Sequence, residues 1–205
     1  MATKTKKKAP LAKPAKQETA LVLRVCDAKL RSYKGFKWPE KGSIAAPDWS
    51  AEPCCGQGLH GWLFGQGDHS AATIQSDSKW LVVRVVIADM VDLGGKVKFP
   101  RGEVVFVGDK KAATDYLRAN EDRSANVAVI GASVAVGDEA TAAVGAYGTA
   151  TAGDSGTATA GDSGTATAGA YGTATAGYRG TATAGDRGTA TAGDSGTATA
   201  GAYGT

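Results

Sequence analysis

Along residues 20–121 the apolar positions gather in short β-branched runs separated by polar and glycine-rich stretches. ALVLRVC (20–26), WLVVRVVIA (80–88) and EVVFVG (103–108) each carry few charges. They predict three buried or half-buried strands. The third run leads into DKKAATDYLRANED. There Asp109 is placed to cap a helix, and Ala112, Ala113, Tyr116 and Leu117 share one helical face. DHSAATIQSD (68–77) predicts a second short helix capped by Asp68, and LGGKVKFPRGE a turn, a short strand and another turn. Together these elements predict a small α+β domain.

Past residue 125 the pattern changes. One octapeptide, G-T-A-T-A-G-x-x, recurs to Thr205. A short fixed period predicts a solenoid. G-T-A-T-A is strand-compatible, while G-x-x, with glycine in a turn conformation, reads as an exposed corner. The first units reveal which face is inner. ASVAVGDE (132–139) and ATAAVGAY (140–147) put Val134, Val136 and Val144 where later units carry Ala. Side chains alternate along a strand, so Ala150, Ala152 and their equivalents point inward. Thr149, Thr151, Thr157, Thr159, Thr165, Thr167, Thr173, Thr175, Thr181, Thr183, Thr189, Thr191, Thr197 and Thr199 point outward. An interior of Ala alone must be thin, which predicts an all-β flattened β-solenoid with about two octads per coil. Val127, Val129 and Ile130 are bulkier than anything later and predict a capping coil at about 126–136.

The expected organisation is therefore a disordered basic tail (1–19), an α+β domain (20–121) and a β-solenoid (122–205). The tail holds six lysines against one glutamate in a net charge of +3, so contact with an anionic partner is expected there and not on a DNA-binding core. The sequence ends two residues into an octad. An uncapped rung exposes unpaired backbone, and self-association through that edge is expected. No apolar run reaches the roughly 18 residues of a membrane span. The three cysteines, Cys26, Cys54 and Cys55, make a poor disulfide framework, and a cytoplasmic setting is expected, with no membrane contact.

Candidate chemistry concentrates in EPCCGQGLHGWLFGQGDHS (52–70). Cys54, Cys55, His60 and His69 are potential metal ligands, but their spacing matches no standard zinc pattern. No metal or other cofactor is expected. The alternative is a turn-rich loop whose His60, Trp62 and Phe64 pack on the sheet. A pocket around His60, Trp62 and His69 is the candidate for any further chemistry.

Three resemblances follow from these residues. The order of strand, aromatic-glycine segment, G-L-H-x-W, helix and long strand resembles ADP-ribosyltransferase folds. That resemblance implies a catalytic glutamate, and Glu103 is the only nearby candidate on a strand. Gly35, Phe36, Trp38, Cys55, Gly58, Leu59 and His60, ahead of the octads, resemble an uncharacterised bacterial and phage family in which a small domain precedes short Thr/Ala/Gly repeats. The octads are similar to the repeats of bacterial ice-nucleation proteins, with T-A-T matching T-x-T at seven sites. Tyr147, Tyr171 and Tyr203, three and then four octads apart, depart from a single tyrosine ladder. The leading expectation is a non-enzymatic structural and interaction protein, a globular cap on a rigid rod that spaces or assembles. An ice-binding or ice-nucleating Thr array and an ADP-ribosyltransferase-like enzyme are the alternatives.

Overall fold

A computed structural model describes residues 17–205. The six lysines of the basic tail lie outside the described residues. Glu18 and Thr19, expected to belong to that tail, are instead part of the domain: the Ile87 amide donates to the Glu18 carbonyl at 3.0 Å, and the first strand begins at Thr19.

The domain is a seven-stranded antiparallel sheet. Its strands are β1 (Thr19–Cys26), β2 (Gly42–Ala45), β3 (Leu59–Leu63), β4 (Lys79–Val86), β5 (Val91–Asp92), β6 (Val97–Phe99) and β7 (Arg101–Gly108), in the order β2-β7-β4-β1-β3-β6-β5. The two apolar runs β1 and β4 pair along all eight residues at its centre. One face buries Val22, Leu81, Val83, Phe99 and Trp38; the other buries Leu21, Leu23, Trp62, Trp80 and Val82. The second face is covered by helix α1 (Lys110–Asn120). The Asp109 carboxylate accepts from the Ala112 amide at 2.8 Å, satisfying an otherwise orphaned helix donor. Ala113 and Leu117 are buried on the expected face, joined by Thr114, and Tyr116 stacks on Phe106.

Two local expectations are corrected. Residues 68–77 form turns and extended chain, with no helix. The Asp68 carboxylate closes a turn on the amide and hydroxyl of Ser70. Outside contacts also hold the segment extended: the Asp68 amide donates to Gly95, and the Trp62 indole donates to the Asp68 carbonyl. Residues 59–63, expected as part of a loop, are a strand paired to both β1 and β6. Gly61 is required inside it, because a Cβ there would stand 2.4 Å from Val22 Cγ1 and 2.8 Å from the Leu23 carbonyl oxygen.

The octads build a parallel β-solenoid of two sheets. Strands β8 (Ser133–Ala135), β10 (Thr149–Ala152), β12 (Thr165–Ala168), β14 (Thr181–Ala184) and β16 (Thr197–Ala200) form one sheet. Strands β9 (Thr141–Val144), β11 (Thr157–Ala160), β13 (Thr173–Ala176) and β15 (Thr189–Ala192) form the other. Thr149 pairs with Thr165 and Thr157 with Thr173, so each coil is 16 residues and takes two octads. Ala150, Ala158, Ala166, Ala174 and Ala182 are fully buried between the sheets. Each buried methyl contributes on the order of 0.8 kcal/mol, and the ladder supplies the rest of the cohesion.

The glycines act otherwise than expected. At the corners the left-handed residue is the second x: Glu139, Tyr147, Ser155, Ser163, Tyr171, Arg179, Arg187, Ser195 and Tyr203 have φ between 54 and 60°. Octad glycines are needed for close approach. A Cβ on Gly164 would lie 2.8 Å from the Gly161 oxygen, 2.9 Å from Ala160 Cβ and 3.0 Å from the Gly148 oxygen of the preceding coil.

Domain and rod share one continuous core. Val129 and Ile130 are buried with Trp62, Trp80 and Leu117, and the cluster continues through Val144 into the alanines. The Ile130 amide donates to the Gly65 carbonyl at 2.9 Å, and the Gly131 amide to that of Ala146 at 2.8 Å.

Unequal effects are therefore expected at adjacent corner positions. Gly164→Ala should lower stability by about 2–3 kcal/mol, because backbone oxygen and not a movable side chain blocks the new methyl. Ser163→Gly, which relieves a left-handed residue but adds unfolded-state freedom, should stay within about 1 kcal/mol of the parent. Denaturant melts followed by far-ultraviolet circular dichroism check both; equal losses would refute the close-approach role of glycine.

Candidate functional site

The outward surface of the solenoid follows from its alternation. Thr149, Thr151, Thr165, Thr167, Thr181, Thr183, Thr197 and Thr199 stand on one sheet. Thr157, Thr159, Thr173, Thr175, Thr189 and Thr191 stand on the other. None is buried. Cross-strand partners are identical residues, Thr165 beside Thr181 and Thr167 beside Thr183. The in-register ladder therefore repeats hydroxyl and methyl at steps of about 6.6 Å along a strand and about 4.8 Å between rungs. β-Branching limits each Thr to few χ1 states, so the array is stiff as well as regular.

The corners carry two further ladders that sequence reasoning missed. Asp138, Asp154, Asp162 and Asp186 each accept, through Oδ1, the amide of the residue 16 positions later, at 2.8–2.9 Å. The pattern becomes visible once the coil length is known, because these aspartates all occupy the first x. On one edge Tyr171, Arg187 and Tyr203 form a column. The guanidinium of Arg187 lies 5.7 Å and 5.8 Å from the two rings, and its Nη1 donates to the Tyr171 hydroxyl at 3.1 Å. Tyr147 is on the opposite edge, near the domain.

Of the three residues of the expected pocket, His60 and Trp62 stand two apart on β3, and His69 follows Asp68, whose carbonyl accepts from the Trp62 indole. Trp62 is in the core, 6.2 Å from Trp80. His69 lies at the seam, its ring edge-on to Tyr147 at 5.3 Å and its Nε2 3.9 Å from Asp162. His60 is half-buried on β3 beside Arg24, whose Nη1 donates to the His60 carbonyl at 3.2 Å. Burial first, then the positive charges of Lys96, Arg24 and Lys98, push His60 down to about 4 from its usual 6.5. Its Nε2 and the Arg24 Nε are buried without a hydrogen-bond partner among the described residues. Two surface concavities, of about 490 and 650 Å³, are lined by other residues.

Glu103 is exposed on β7 and held by Arg84 at 3.0 Å. Cys54 and Cys55 are exposed and Cys26 is buried. Among the described residues no group of three or more His, Cys, Asp or Glu is placed to hold a metal ion, and no helix is long and apolar enough to cross a membrane. Glu121 is a further residue that sequence reasoning missed. Burial works to raise its carboxyl, but Arg123 and the Leu21 amide outweigh that and hold it below the usual range. Arg123 also donates to the Thr19 carbonyl at 2.7 Å, so the pair ties β1 to the chain entering the solenoid.

Comparison with known proteins gives two kinds of match. Residues 20–119 match the family described as a domain of unknown function, DUF7666. The chain is also 36% identical over 106 residues to an ice nucleation protein of Pseudomonas syringae. It is 36% identical over 107 residues to one of Pseudomonas fluorescens and 34% over 105 residues to one of Xanthomonas campestris pv. translucens. These matches take in 51%, 51% and 50% of this chain but only 9%, 9% and 7% of those proteins. No solved structure matches the chain.

His60 sets an expected pH dependence. Its folded value is depressed, so as pH falls the unfolded chain takes up the proton first. The stability contribution is whole above about 6.5, declines between 6.5 and 4, and levels off below. Because solvent still reaches the residue and screens part of this cost, the loss should be about 1–2 kcal/mol. Denaturant melts at pH 7 and pH 4.5 should show this decline in the parent and a smaller one in His60→Gln. Parallel declines would remove His60 as the cause.

Proposed function

We propose that this structural repeat protein is non-enzymatic and acts by ordering water against ice, with the sheet domain capping one end of the rod. One observation carries the reading: identical Thr-x-Thr rungs stack in register on both flat faces, at a 16-residue step. A liquid-facing surface organises water when its hydroxyls keep fixed mutual positions, and here backbone ladder and stiff side chains fix both. The similarity to proteins named for ice nucleation supports the same reading. The cap role is supported by the shared core, since a solenoid's first rung is otherwise an open edge. Where ice is not the target, the same rigidity suits a spacer rod, favoured by the unbroken backbone ladder through the corners.

The test uses the purified chain and a variant carrying Thr165→Lys and Thr167→Lys at the middle of one face. Both positions point outward, so circular dichroism should not change. Freezing temperature of supercooled droplets and the habit of growing ice crystals should both change with the parent and change less with the variant. A folded parent that leaves both untouched would defeat the ice reading and leave the spacer.

A further inference from the structure

The segment 50–57 is a surface loop whose base is closed and whose tip is exposed. The Ser50 amide donates to the Gln57 carbonyl at 3.4 Å and the Gly58 amide to the Asp48 carboxylate at 3.2 Å. Between these ties every residue from Ala51 to Gln57 is exposed. Two adjacent thiols, Cys54 and Cys55, stand at the tip, both exposed. Gly56, with φ of +91° and open space around its Cβ position, follows directly.

One side chain reaches this tip from the sheet. Lys98 on β6 is fully buried. Its Nζ donates to the Cys54 carbonyl at 3.1 Å and lies 5.7 Å from the centre of the Trp49 ring. A buried ammonium is strongly destabilised when its acceptor is withdrawn, and here that acceptor is the peptide oxygen between the two cysteines.

We propose that Cys54 and Cys55 are a reversible oxidation site that closes to a vicinal disulfide, and that closure breaks the Lys98 contact. The co-reactant is a low-molecular-weight disulfide. One cysteine thiolate attacks a sulfur of that disulfide, forming a mixed disulfide and expelling one thiolate. The neighbouring thiolate then attacks the protein sulfur of the mixed disulfide, closing the ring and expelling the second. Two protein thiols are oxidised and one external disulfide is reduced to two thiols, with both protons passing to the solvent or the leaving thiolates. Neighbouring Cα atoms across a trans peptide are about 3.8 Å apart, whereas disulfides ordinarily span about 4.4–6.8 Å. The ring is therefore strained and easily reduced, as regulatory disulfides are. Closing it must turn the Cys54–Cys55 peptide, and with it the carbonyl that Lys98 holds. The glycine beside the pair absorbs the turn without moving β3.

The experiment treats the full chain with oxidised glutathione, then pulses with N-ethylmaleimide without denaturant and weighs the intact protein. Before oxidation Cys54 and Cys55 should both be alkylated and buried Cys26 should not. Afterwards neither should react, and the protein should be lighter by two hydrogen atoms until dithiothreitol restores it. Cys55→Ser should stop at a glutathione adduct. Lys98→Met, which removes the contact favouring the dithiol, should shift the glutathione ratio at half-oxidation several-fold toward easier oxidation. A stable glutathione adduct on the parent, disulfide-linked dimers, or two thiols still reactive after treatment would each overturn the site. An unchanged midpoint in folded Lys98→Met would overturn the coupling.

Discussion

Everything in the rod depends on how closely one coil lies on the next. Stacked backbones in register leave no room for a Cβ at either glycine of the octad. On Gly153 it would meet the backbone of Gly137 and Asp138, and on Gly156 the Ala140 oxygen and the Ala152 methyl. Two of eight positions are thereby fixed by steric contact, with the preceding coil and within the corner itself, and not by backbone conformation. Two more are fixed as Ala by the narrow gap between the sheets, where Ala166 and Ala182 have no exposed surface. The Thr positions answer to water on one side and to an identical neighbour on the other. Only the two corner residues escape, and there the composition varies, from Asp-Ser to Tyr-Arg.

The same constraint explains how the rod begins. A sheet domain with aromatic side chains cannot abut a core one methyl deep without a transition. Val129, Ile130 and Val144 are buried and Val134 and Val136 half-buried, which steps the core down from Trp62 and Trp80 to Ala150. Glycine again permits the contact. A Cβ on Gly65 would overlap Leu117 and Val129, and one on Gly131 would overlap Trp80. The boundary at residue 121 is thus a change of architecture inside one core. Glu121 itself, bonded to a residue 100 positions earlier, belongs to both sides.

How much of this was legible beforehand depended on whether the cause was local. Inner and outer faces were readable because Val134, Val136 and Val144 replace Ala at alternate positions. The coil length followed from the volume of Ala. Helix α1 was readable because its cap and apolar face lie within ten residues. Strand β3 was hidden, since Leu59–Leu63 contains His60, Gly61 and Trp62 and is held as a strand by β1 and β6. Residues 68–77 deceived because Asp68 serves as well to close a turn as to cap a helix. Contacts from Gly95 and Trp62, remote in sequence or set by another strand, decided between them.

The corners repay their conformational cost by hydrogen bonding. A left-handed residue costs about 1–2 kcal/mol, and there are nine. Each of the first seven sends its amide to a carbonyl one coil further on, as Ser155 does to Ala170 and Tyr171 to Asp186. Aspartate at the first x satisfies a second amide. The corners therefore continue the ladder of the sheets, and the rod has no soft hinge between its two faces. Since the faces are nearly alike, what distinguishes one edge of the rod from the other must lie in those corner pairs. One edge carries Asp154-Ser155, Ala170-Tyr171, Asp186-Arg187 and Ala202-Tyr203; the other carries Ala146-Tyr147, Asp162-Ser163, Tyr178-Arg179 and Asp194-Ser195. Variation confined to the places where packing allows it gives an otherwise uniform rod two chemically distinct sides.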